Sequence, residues 1–571
     1  MTFPHTFAPQ AGPIPLAYLD DNFNALTAPT GSSLVGFSQS FAGTAGSVAR
    51  KLQCIVSPRD APFNAVGDGV ADDTAAVSAM LSAYTSASTE FNGEGMKYKL
   101  TSTISKTLAS NVHWRLKDFN FTSATIAEPG TENGVLNITG DEVISASVWS
   151  GTNTVDVDNV MFTDARAYLG TLDGLVVYNC HRVALNGVRA YGYSNTGIYI
   201  GQSHNIKVSN CEANGNMYAG LRQGSNDICV IEGGVYNNNG ISAPTYGYGL
   251  ASSAGDGINA GQYITCIGVT ANGNLRKGID FHAGVDVSVL GCTVVGYGNA
   301  GIYAVGEASG KTIANVSVVG NFVDGYANTL GNNNAIEVGA YGLTVQDAGD
   351  IVVAQNRIRS SQVAGSSSIF VYLPSSGTTY HSISINNNTT RFGSSSDSPI
   401  VNVHTVSALL IDRIKINDNI LHSTACTYGI NAFNTSTKIK IDGNLIQVDS
   451  GTVTQGIYFR DDTSVAASVD NNQFLGAATY GTGTGIFEDY ITQIITTGGS
   501  ARNNRTLTAS LKDVYPTGIS YSFGTAAPVS ASTFNRQGSQ VVNSGAAVGS
   551  PKGWSCTVSG QPGTWVSQGN L

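Results

Sequence analysis

Two carboxylates occupy the same place in a repeated pattern of this sequence. Asp280 follows the pair Gly278-Ile279, and Glu337 follows Ala335-Ile336. If the aliphatic residue of each pair points into a core, the residue after it points outward. Hydrolysis of a glycosidic bond needs two such carboxyl groups, because one protonates the leaving oxygen and the other activates water or attacks the sugar. The two acids are the first candidates for catalysis.

The spacing of these acids bears on the stereochemistry of the reaction. One further pair, Gly301-Ile302, lies between them and puts Tyr303 at the same place. If each repeat is one coil of stacked strands, the backbones of the two acids lie roughly 9.6 Å apart. Inverting glycosidases hold their carboxyl groups about 6.5–9.5 Å apart, and retaining ones about 5–5.5 Å. The spacing favours inversion and leaves open which acid is the general acid and which the base.

The residues that follow the other pairs form one outward column of aromatic and polar side chains. Such a column suits sugars, which stack their apolar ring faces on aromatic rings and offer hydroxyls to carboxylates. A solvated sheet face is the alternative. His282 and Tyr372, two positions beyond the column, are expected on the same side. The column consists of Val176, Tyr199, Arg222, Asn259, Asp280, Tyr303, Glu337, Phe370, Val401, Asn431, Tyr458 and Phe487.

Other residues compete for the catalytic roles. Glu307 follows Tyr303 closely and is the substitute candidate, and a second cluster combines 460–462 with Glu488 and Asp489. A lyase would instead need a base and a group that neutralises a uronic acid carboxylate. Candidates for those two roles are Arg222, Arg276, Lys277 and Tyr303. The same basic residues would equally bind an acidic sugar in a hydrolase, so the sequence does not separate the two chemistries.

The pairs themselves indicate the architecture. They recur on average every 28 residues or so, which is the spacing of a solenoid in which each unit buries its apolar face only against its neighbours. The twelve pairs begin at Gly174, Gly197, Gly220, Gly257, Gly278, Gly301, Ala335, Ser368, Pro399, Gly429, Gly456 and Gly485.

A second column of asparagines predicts how the coils bend. It comprises Asn321, Asn356, Asn388, Asn419, Asn444 and Asn472. Cys211 and Cys292 take the asparagine place in their repeats, which indicates a buried structural role. The eight cysteines show no pairing or metal-ligand spacing, so we expect reduced, buried thiols and neither a metal nor another cofactor.

A helix is expected near the start of the solenoid. Val77, Met80, Leu81 and Tyr84 follow a helical period after the acidic pair Asp72-Asp73, which is expected to cap the helix. The string NAVGDGVADDTAAVSAML resembles the opening segment of the pectate-lyase-like right-handed β-helix superfamily, whose short helix closes one end of the solenoid.

Both termini extend the resemblance. The string PIPLAYLDDNF, with a stripe of Leu16, Leu19, Phe23 and Leu26, is similar to the virion-attachment segment of phage tailspikes. The string GSPKGWSCTVSGQPGTW resembles the C-terminal end of tailspikes and tail fibres. The resemblance implies a homotrimer in the virion, made in the host cytoplasm, whose N-terminus joins the phage baseplate or tail. It also implies a bacterial capsular or O-antigen polysaccharide as the partner.

Composition excludes several other classes. The net charge is −10 and no basic cluster occurs, so a nucleic-acid partner is not expected. No apolar run is long enough for membrane insertion, and the N-terminus has no secretion-signal pattern. Only 12% of the residues are charged while 68 are glycine, which favours β-structure over helix.

These observations together predict an all-β protein whose trunk is a right-handed parallel β-helix. We expect a virion-attachment segment and linker at 1–50, a cap with the short helix and first coils at 51–130, a trunk with the groove at 131–505, and a small β-rich tip at 506–571. The expected activity is endo-hydrolysis of a surface polysaccharide. The alternatives are a lyase acting on a uronic-acid-containing capsule and a non-enzymatic receptor-binding fibre.

Overall fold

The structure is a computed structural model of the 571-residue chain. It describes residues 36–37, 46–47, 55–145, 148–240, 246–253, 263–306, 313–325, 334–340, 349–360, 366–373, 379–393, 399–405, 410–433, 438–450, 452–453, 455–460, 466–475, 479–480, 500–502, 504–506, 513–514, 519–529, 535–560 and 562–571.

Short strands wind repeatedly through three long parallel sheets, so each coil pairs with the coil before it and the coil after it. We call the sheet that carries Asp280 and Glu337 the site sheet. Its thirteen strands are Ile104–Thr107, Asn133–Thr139, Leu172–Tyr178, Thr196–Gly201, Ala219–Gly224, Tyr248–Ser253, Lys277–Phe281, Ala300–Gly306, Asn334–Ala340, Ile369–Leu373, Val401–Thr405, Tyr428–Phe433 and Gln455–Arg460.

The second sheet continues from the solenoid into the C-terminal strands. Its parallel part is Ile55–Val56, Thr89–Asn92, His113–Lys117, Thr154–Asp158, Arg182–Asn186, Ile206–Ser209, Cys229–Glu232, Tyr263–Ile267, Asp286–Leu290, Val316–Val319, Gly349–Ala354, Thr379–Asn386, Leu410–Asn417, Lys438–Asp442, Ala466–Asp470 and Ser500–Arg502.

The third sheet has two parts. Val235 links them, because it forms one isolated β-bridge with Glu212 and another with Thr270. The first part is Asp68–Asp72, Lys97–Lys99, Asn120–Thr122, Met161–Thr163, Arg189–Tyr191 and Glu212–Asn214. The second part is Thr270–Asn272, Thr293–Val295, Phe322–Asp324, Arg357–Ser360, Thr389–Phe392, Ile420–Ser423, Leu445–Val448, Gln473–Leu475 and Arg505–Thr506. Three small pairings complete the set: Gly36–Phe37 with Gly46–Ser47, Ile144–Ser145 with Val148–Trp149, and Thr452–Val453 with Thr479–Tyr480.

Stacked aliphatic side chains fill the interior behind the site sheet. In-register pairing places one aliphatic side chain from each coil in a single buried row. The row consists of Leu175, Ile198, Leu221, Leu250, Ile279, Ile302, Ile336, Ile369, Val401, Ile430 and Ile457, all essentially inaccessible to solvent. The predicted fold class, an all-β parallel β-helix, is confirmed.

The predicted asparagine column is a continuous hydrogen-bonded ladder. The Asn356 side chain donates to Asn388 Oδ1 at 2.9 Å, and Asn388 donates to Asn419 Oδ1 at 3.0 Å. Each Oδ1 also accepts a backbone N–H from the coil before it. The ladder runs on through Asn444 and Asn472 to Asn504, one member further than predicted.

The residue before each of the six ladder asparagines from Asn321 to Asn472 makes the bend. It adopts positive φ, a conformation that glycine, asparagine and aspartate tolerate best. Those residues are Gly320, Gln355, Asn387, Asp418, Gly443 and Asn471. This requirement accounts for the recurring GN, NN and DN strings.

The cysteines behave as small core residues. The seven described cysteines are buried and none of these seven is in a disulfide, and Cys54 lies outside the described residues. Cys292 takes the asparagine place at the start of the ladder, and its backbone N–H donates to Asn321 Oδ1 at 2.8 Å. A second ladder through Asn216, Asn239 and Asn274, which the sequence reading did not identify, supports the bend on the other side of the third sheet.

The helix before the first coils spans Thr74–Ser82, and Val77, Met80 and Leu81 are its buried face. The expected capping by the acidic pair is only half right. Asp72 Oδ1 accepts the Thr74 backbone N–H at 3.0 Å. Asp73 occupies the N-cap position, but its carboxylate makes no bond to the helix. It accepts the backbone N–H groups of 66 and 67 instead and so fixes the preceding turn.

Two coils differ from the predicted alignment. The pair at 257–258 is not the anchor of its coil, because Leu250 pairs with Leu221 and with Ile279. Ala251 therefore takes the column place that was assigned to Asn259, which lies outside the described residues. In the strand Val401–Thr405, Val401 pairs with Ile369 and is buried, so Asn402 faces outward in its place. Both errors arose where two aliphatic residues competed for one inward position.

The C-terminal strands form a small β-rich unit, as predicted. Asp513–Val514, Ser520–Gly524, Gln540–Asn543, Gly553–Val558 and Thr564–Ser567 pair mostly in antiparallel fashion. The helical stripe predicted at 16–26 lies outside the described residues. Among the residues described, no helix is long and apolar enough to cross a membrane.

The asparagine ladder predicts a measurable stability effect. Asn388→Ala removes Asn388 Oδ1, which accepts hydrogen bonds from both the side-chain amide and the backbone N–H of Asn356. The carbonyl of Val353 also loses its donor. A buried polar group left without a partner costs about 1–3 kcal/mol, so we expect the free energy of unfolding to fall by at least about 2 kcal/mol. Thr389→Ala, an exposed neighbour, is the control for denaturant unfolding. Equal unfolding midpoints for the two variants would contradict this account of the ladder.

Candidate functional site

Asp280 is the centre of a buried ionic cluster on the site sheet. Its Oδ1 accepts a hydrogen bond from Lys277 Nζ at 3.1 Å, and its Oδ2 lies 2.7 Å from His282 Nε2. The side chains of Lys277 and Asp280 are 1% and 2% exposed, whereas His282 is 22% exposed. His282 is therefore the most exposed of the three, and both carboxylate oxygens of Asp280 are engaged.

Tyr303 covers the cluster from the next coil. It pairs directly with Asp280 across the strands, and Lys277 Nζ lies 3.2 Å from the centre of its ring. A cation over an aromatic face is stabilised by the ring quadrupole, the more so where water is excluded. The Tyr303 ring also contacts that of His282, with centroids 5.7 Å apart.

Glu337 lies one strand further along the same outward column. It pairs with Tyr303 on one side and with Phe370 on the other. Its Oε2 accepts a hydrogen bond from Asn334 Nδ2 at 2.9 Å, and it is 6% exposed. Asp280 and Glu337 are therefore two sheet steps apart, roughly 9.6 Å between backbones at ordinary strand spacing.

An aromatic and cationic platform flanks the acids on the N-terminal side. Arg222 stacks over the rings of Tyr199 and Tyr218 at 5.0 and 5.4 Å. Its guanidinium also contacts both carboxylate oxygens of Glu132 at 3.0 Å. Burial opposes the charge of Arg222, but Glu132 together with Tyr218 and Tyr199 outweighs burial and raises the pKa of the guanidinium. Burial raises the pKa of Tyr199 to about 12, so its hydroxyl stays protonated.

The platform continues towards Asp280 through Arg276. This side chain donates to the hydroxyl of Tyr248 and lies 5.3 Å from the centre of its ring. Tyr248 and Tyr246 both contact Tyr218, with ring centroids 5.4 and 5.3 Å apart. Tyr199, Arg222 and Arg276 thus lie in one set of contacts through Tyr218 and Tyr248. Lys277 and Tyr303 belong to the cluster at Asp280, and the strand pairing of Tyr248 with Lys277 makes the two sets neighbours.

On the C-terminal side the aromatic surface resumes after Glu337. The rings of Phe370 and Tyr372 are stacked with centroids 5.8 Å apart, and Tyr372 meets His404 at 5.3 Å. Beyond them Asn431 donates to Asn402 Oδ1 at 2.9 Å within the column. Phe370 and Tyr372 are partly exposed.

Several candidates cannot be placed. Asn259, Glu307, Asp461, Asp462, Phe487, Glu488 and Asp489 lie outside the described residues, and so does the side chain of Arg460. The competing acidic cluster near the C-terminus is therefore left as a sequence prediction.

The sequence reading missed the residues that hold the candidates in place. Asn334 and Glu132 were not identified, and neither were the platform tyrosines 218 and 248. A signal for Asn334 existed, since Lys277 and Asn334 each precede a column acid by three residues. No pattern in the sequence pointed to Glu132, because it contacts Arg222 across 90 residues of sequence.

Asp173 is a further buried acid on this sheet that the sequence reading did not single out. Its carboxylate accepts the backbone N–H of Thr196 at 2.8 Å. Burial is the main reason why its pKa is raised to about 8, so the group is mostly protonated at neutral pH. Three strands lie between it and Asp280, which places it well outside the contact range of the acid pair.

The arrangement is chemically specific. Two carboxyl groups share an outward column in a nearly dry setting, where electrostatic interactions are stronger than in water. Within the described part of the chain, no three His, Cys, Asp or Glu side chains are grouped to hold a metal ion. The residues themselves offer acid–base chemistry between two aromatic surfaces.

Comparisons with known proteins give structural likenesses only. No protein-family model matches the chain, and no curated protein matches it either. Tailspike protein 3 of bacteriophage CBA120 is 12% identical, over 98% of this chain and 77% of that one, with a TM-score of 0.41. PfbA, a surface adhesin of Streptococcus pneumoniae, is 12% identical, over 90% of this chain and 100% of that one, with a TM-score of 0.40. A family 28 exopolygalacturonase of Yersinia enterocolitica is 11% identical, over 82% and 81% of the two chains, with a TM-score of 0.38. The structures that this chain is similar to thus include a phage tailspike, a surface adhesin and a polygalacturonase.

Proposed function

We propose that this chain is a phage tailspike that binds a bacterial capsular or O-antigen polysaccharide and hydrolyses it at internal glycosidic bonds with inversion. One observation carries the proposal. Asp280 and Glu337 stand in register in one column, two strands apart, with aromatic side chains on both sides of them.

The two acids suit a direct displacement by water. One carboxyl group protonates the glycosidic oxygen while the other removes a proton from a water molecule that attacks the opposite face of the sugar. A separation of about two strand spacings leaves room for that water, which a closely spaced retaining pair does not.

The flanking surfaces suit the rest of the polysaccharide chain. Tyr199 and Phe370 lie three and one strand steps from the nearer acid, so they would contact sugars away from the bond that is cleaved. Arg222 is paired with Glu132, which favours hydrogen bonding to hydroxyls over capture of a uronate. Arg276, His282 and Tyr372 complete the binding surface in this proposal.

A lyase is the second candidate, and one contact favours it. Lys277 Nζ lies against the Tyr303 ring, and both residues adjoin an acid. β-Elimination on a uronic acid would use such a cation to stabilise the carboxylate and a tyrosine or lysine to move the proton. A lyase product absorbs ultraviolet light through its conjugated double bond, whereas a hydrolase product carries a new reducing end without it.

The discriminating experiment is digestion of a panel of purified capsular and O-antigen polysaccharides with the full chain. We expect new reducing ends and a fall in polymer length on at least one type, without the ultraviolet signal of an unsaturated sugar. A rise in that absorbance would assign a lyase. Binding without any shortening of the polymer on the type that binds would assign a non-enzymatic receptor-binding fibre.

Substitution of the acids tests the site itself. We expect Asp280→Asn and Glu337→Gln each to lower kcat by about 10²–10⁴-fold, since general acid–base catalysis contributes that much. Binding of the uncleaved polysaccharide should persist in both variants, and it can be measured by surface plasmon resonance.

Glu232→Gln is the matched control, because this acid is more than half exposed and lies on the second sheet. It should cleave as the wild type does. A loss below about tenfold in either Asp280→Asn or Glu337→Gln would exclude that acid from general acid–base catalysis.

The remaining parts of the chain have roles in the same proposal. Residues 1–50 attach the protein to the phage baseplate or tail, 51–130 cap the solenoid, 131–505 carry the groove and 506–571 form the tip. The functional form is a homotrimer in the virion, synthesised in the host cytoplasm. Its long axis of stacked coils offers the extended surface that side-by-side association of three trunks needs.

The trimer is tested by multi-angle light scattering of the full chain. We expect one species at three times the 59.2 kDa of the chain, persisting on dilution to micromolar concentration. A deletion of residues 1–30 should keep both that mass and the cleavage activity. A stable monomer of the full chain would contradict the proposed assembly.

A further inference from the structure

A second polar cluster lies away from the site column, at the bend where the chain passes from the site sheet to the second sheet. In two consecutive coils these bends have equal length, because the strands on both sides of them pair in register. His181 and His204 therefore occupy the same place in the two bends. The register of the following coil puts Asp227 at that place as well. In-register stacking thus lines up two imidazoles and a carboxylate along the bend.

A buried carboxylate lies against Nδ1 of each imidazole. Glu142 Oε2 is 3.0 Å from Nδ1 of His181, and Asp227 Oδ2 is 2.9 Å from Nδ1 of His204. The Glu142 side chain is inaccessible to solvent, and that of Asp227 is 10% exposed. Among the described residues, none forms a hydrogen bond with Nε2 of either histidine. The carboxylates hold the two rings in place, and both Nε2 atoms are available to a ligand.

An insertion in the preceding coil adds a tryptophan to the cluster. The insertion contains the hairpin that pairs Ile144–Ser145 with Val148–Trp149. Glu142 Oε1 accepts the backbone N–H of Gly151 at 2.6 Å, which ties the two ends of the hairpin together. The Trp149 ring stacks on that of His204, two coils further on, with centroids 5.4 Å apart and 27° between the planes. Trp149 nevertheless stays partly exposed, so it is a surface aromatic held in a fixed place.

The three rings form one surface that adjoins the aromatic platform of the site sheet. The ring centroids of His181 and His204 are 5.2 Å apart. Tyr178 ends its site-sheet strand three residues before His181, and its ring lies 6.5 Å from that of Tyr199. A chain of sugars that passes Tyr199 can therefore continue over Tyr178 towards the bend.

We propose that Trp149, His181 and His204 form a second sugar-binding site, which holds a neutral sugar of the polysaccharide away from the bond that is cleaved; this rests on the proposed function. The Trp149 ring offers an aromatic face to the apolar face of the sugar. Each Nε2 exchanges a hydrogen bond with a hydroxyl group of the sugar. Within the described part of the chain, neither carboxylate is paired with a lysine or an arginine, so the cluster has no such cation to bind an acidic sugar.

A metal ion is the other ligand that carboxylate-backed imidazoles can take. Zinc sites in proteins usually supply three or four ligands. Across the residues that the structure describes, no three ligating side chains are grouped to hold a metal ion. The partly exposed Trp149 ring has no role in a metal site, and it favours the sugar.

The test is the tryptophan fluorescence of the full chain, titrated with a polysaccharide from the panel. Glu337→Gln is used throughout so that the polymer stays intact. We expect the emission to change on binding, and we expect that change to disappear when Trp149→Phe is added. Zinc chloride in place of the polysaccharide should leave the emission unchanged. An equal change with and without Trp149→Phe would overturn the second site, and a change with zinc alone would assign a metal site instead.

Affinity for polymers of different length is the second readout. Trp149→Ala should weaken the binding of long polysaccharide by about tenfold or more, because a polymer held at two sites benefits from a high effective concentration at the second. Fragments too short to reach from the column to the bend should bind as they do to the parent chain. Tyr263→Ala, which removes an exposed aromatic side chain from the second sheet, is the control. Equal affinities of Trp149→Ala and Tyr263→Ala for the long polymer would contradict the proposal.

Two provisions keep the outcome decisive. If Trp149→Ala does not fold, His181→Gln carries the same expectation, since it keeps a donor for Glu142 and removes the imidazole. If the wild type binds no polysaccharide of the panel, the proposed function fails and the second site with it. If the wild type binds and cleaves while the emission and the affinity for long polymer do not depend on Trp149, only the second site is wrong.

Discussion

In-register stacking of coils is the constraint on which the rest of the structure depends. A single coil has too little apolar surface to form a core of its own, so it is stable only against its neighbours. Parallel pairing then forces residues at equivalent places into rows, such as the buried aliphatic row from Leu175 to Ile457. A polar residue in one coil must meet a compatible partner in the next, which is what the asparagine ladder achieves at the bends.

The same constraint builds the candidate site. Asp280, Tyr303 and Glu337 are separated by 23 and 34 residues of chain, yet direct strand pairing makes them neighbours in one column. Lys277 and Asn334, which donate hydrogen bonds to Asp280 and Glu337, form a second row because each precedes its acid by three residues on the strand. The site therefore lies on rigid strands, and its chemistry depends on which side chains each coil contributes to the rows.

The periodic features of this architecture could be predicted from the sequence, because each coil repeats the same inward aliphatic residue and the same bend. The ladder through Asn321 and Asn388 followed from that periodicity, and so did the neighbourhood of Asp280, Tyr303 and Glu337. The prediction was wrong where a coil offered two aliphatic choices, as at Leu250 and Val401. Contacts that do not repeat, such as Glu132 with Arg222, carry no periodic signal and needed three-dimensional coordinates.

The central claim is that the column containing Asp280 and Glu337 is where a surface polysaccharide is bound and cleaved. The most direct measurement is a crystal structure of the Glu337→Gln variant with an oligosaccharide prepared from a polysaccharide that the protein binds. The account predicts a glycosidic oxygen within hydrogen-bond distance of one of the two residues 280 and 337, a water molecule beside the other, and sugar rings along Tyr199 and Phe370. An oligosaccharide seated on the second or third sheet, with the column free of sugar, would contradict it.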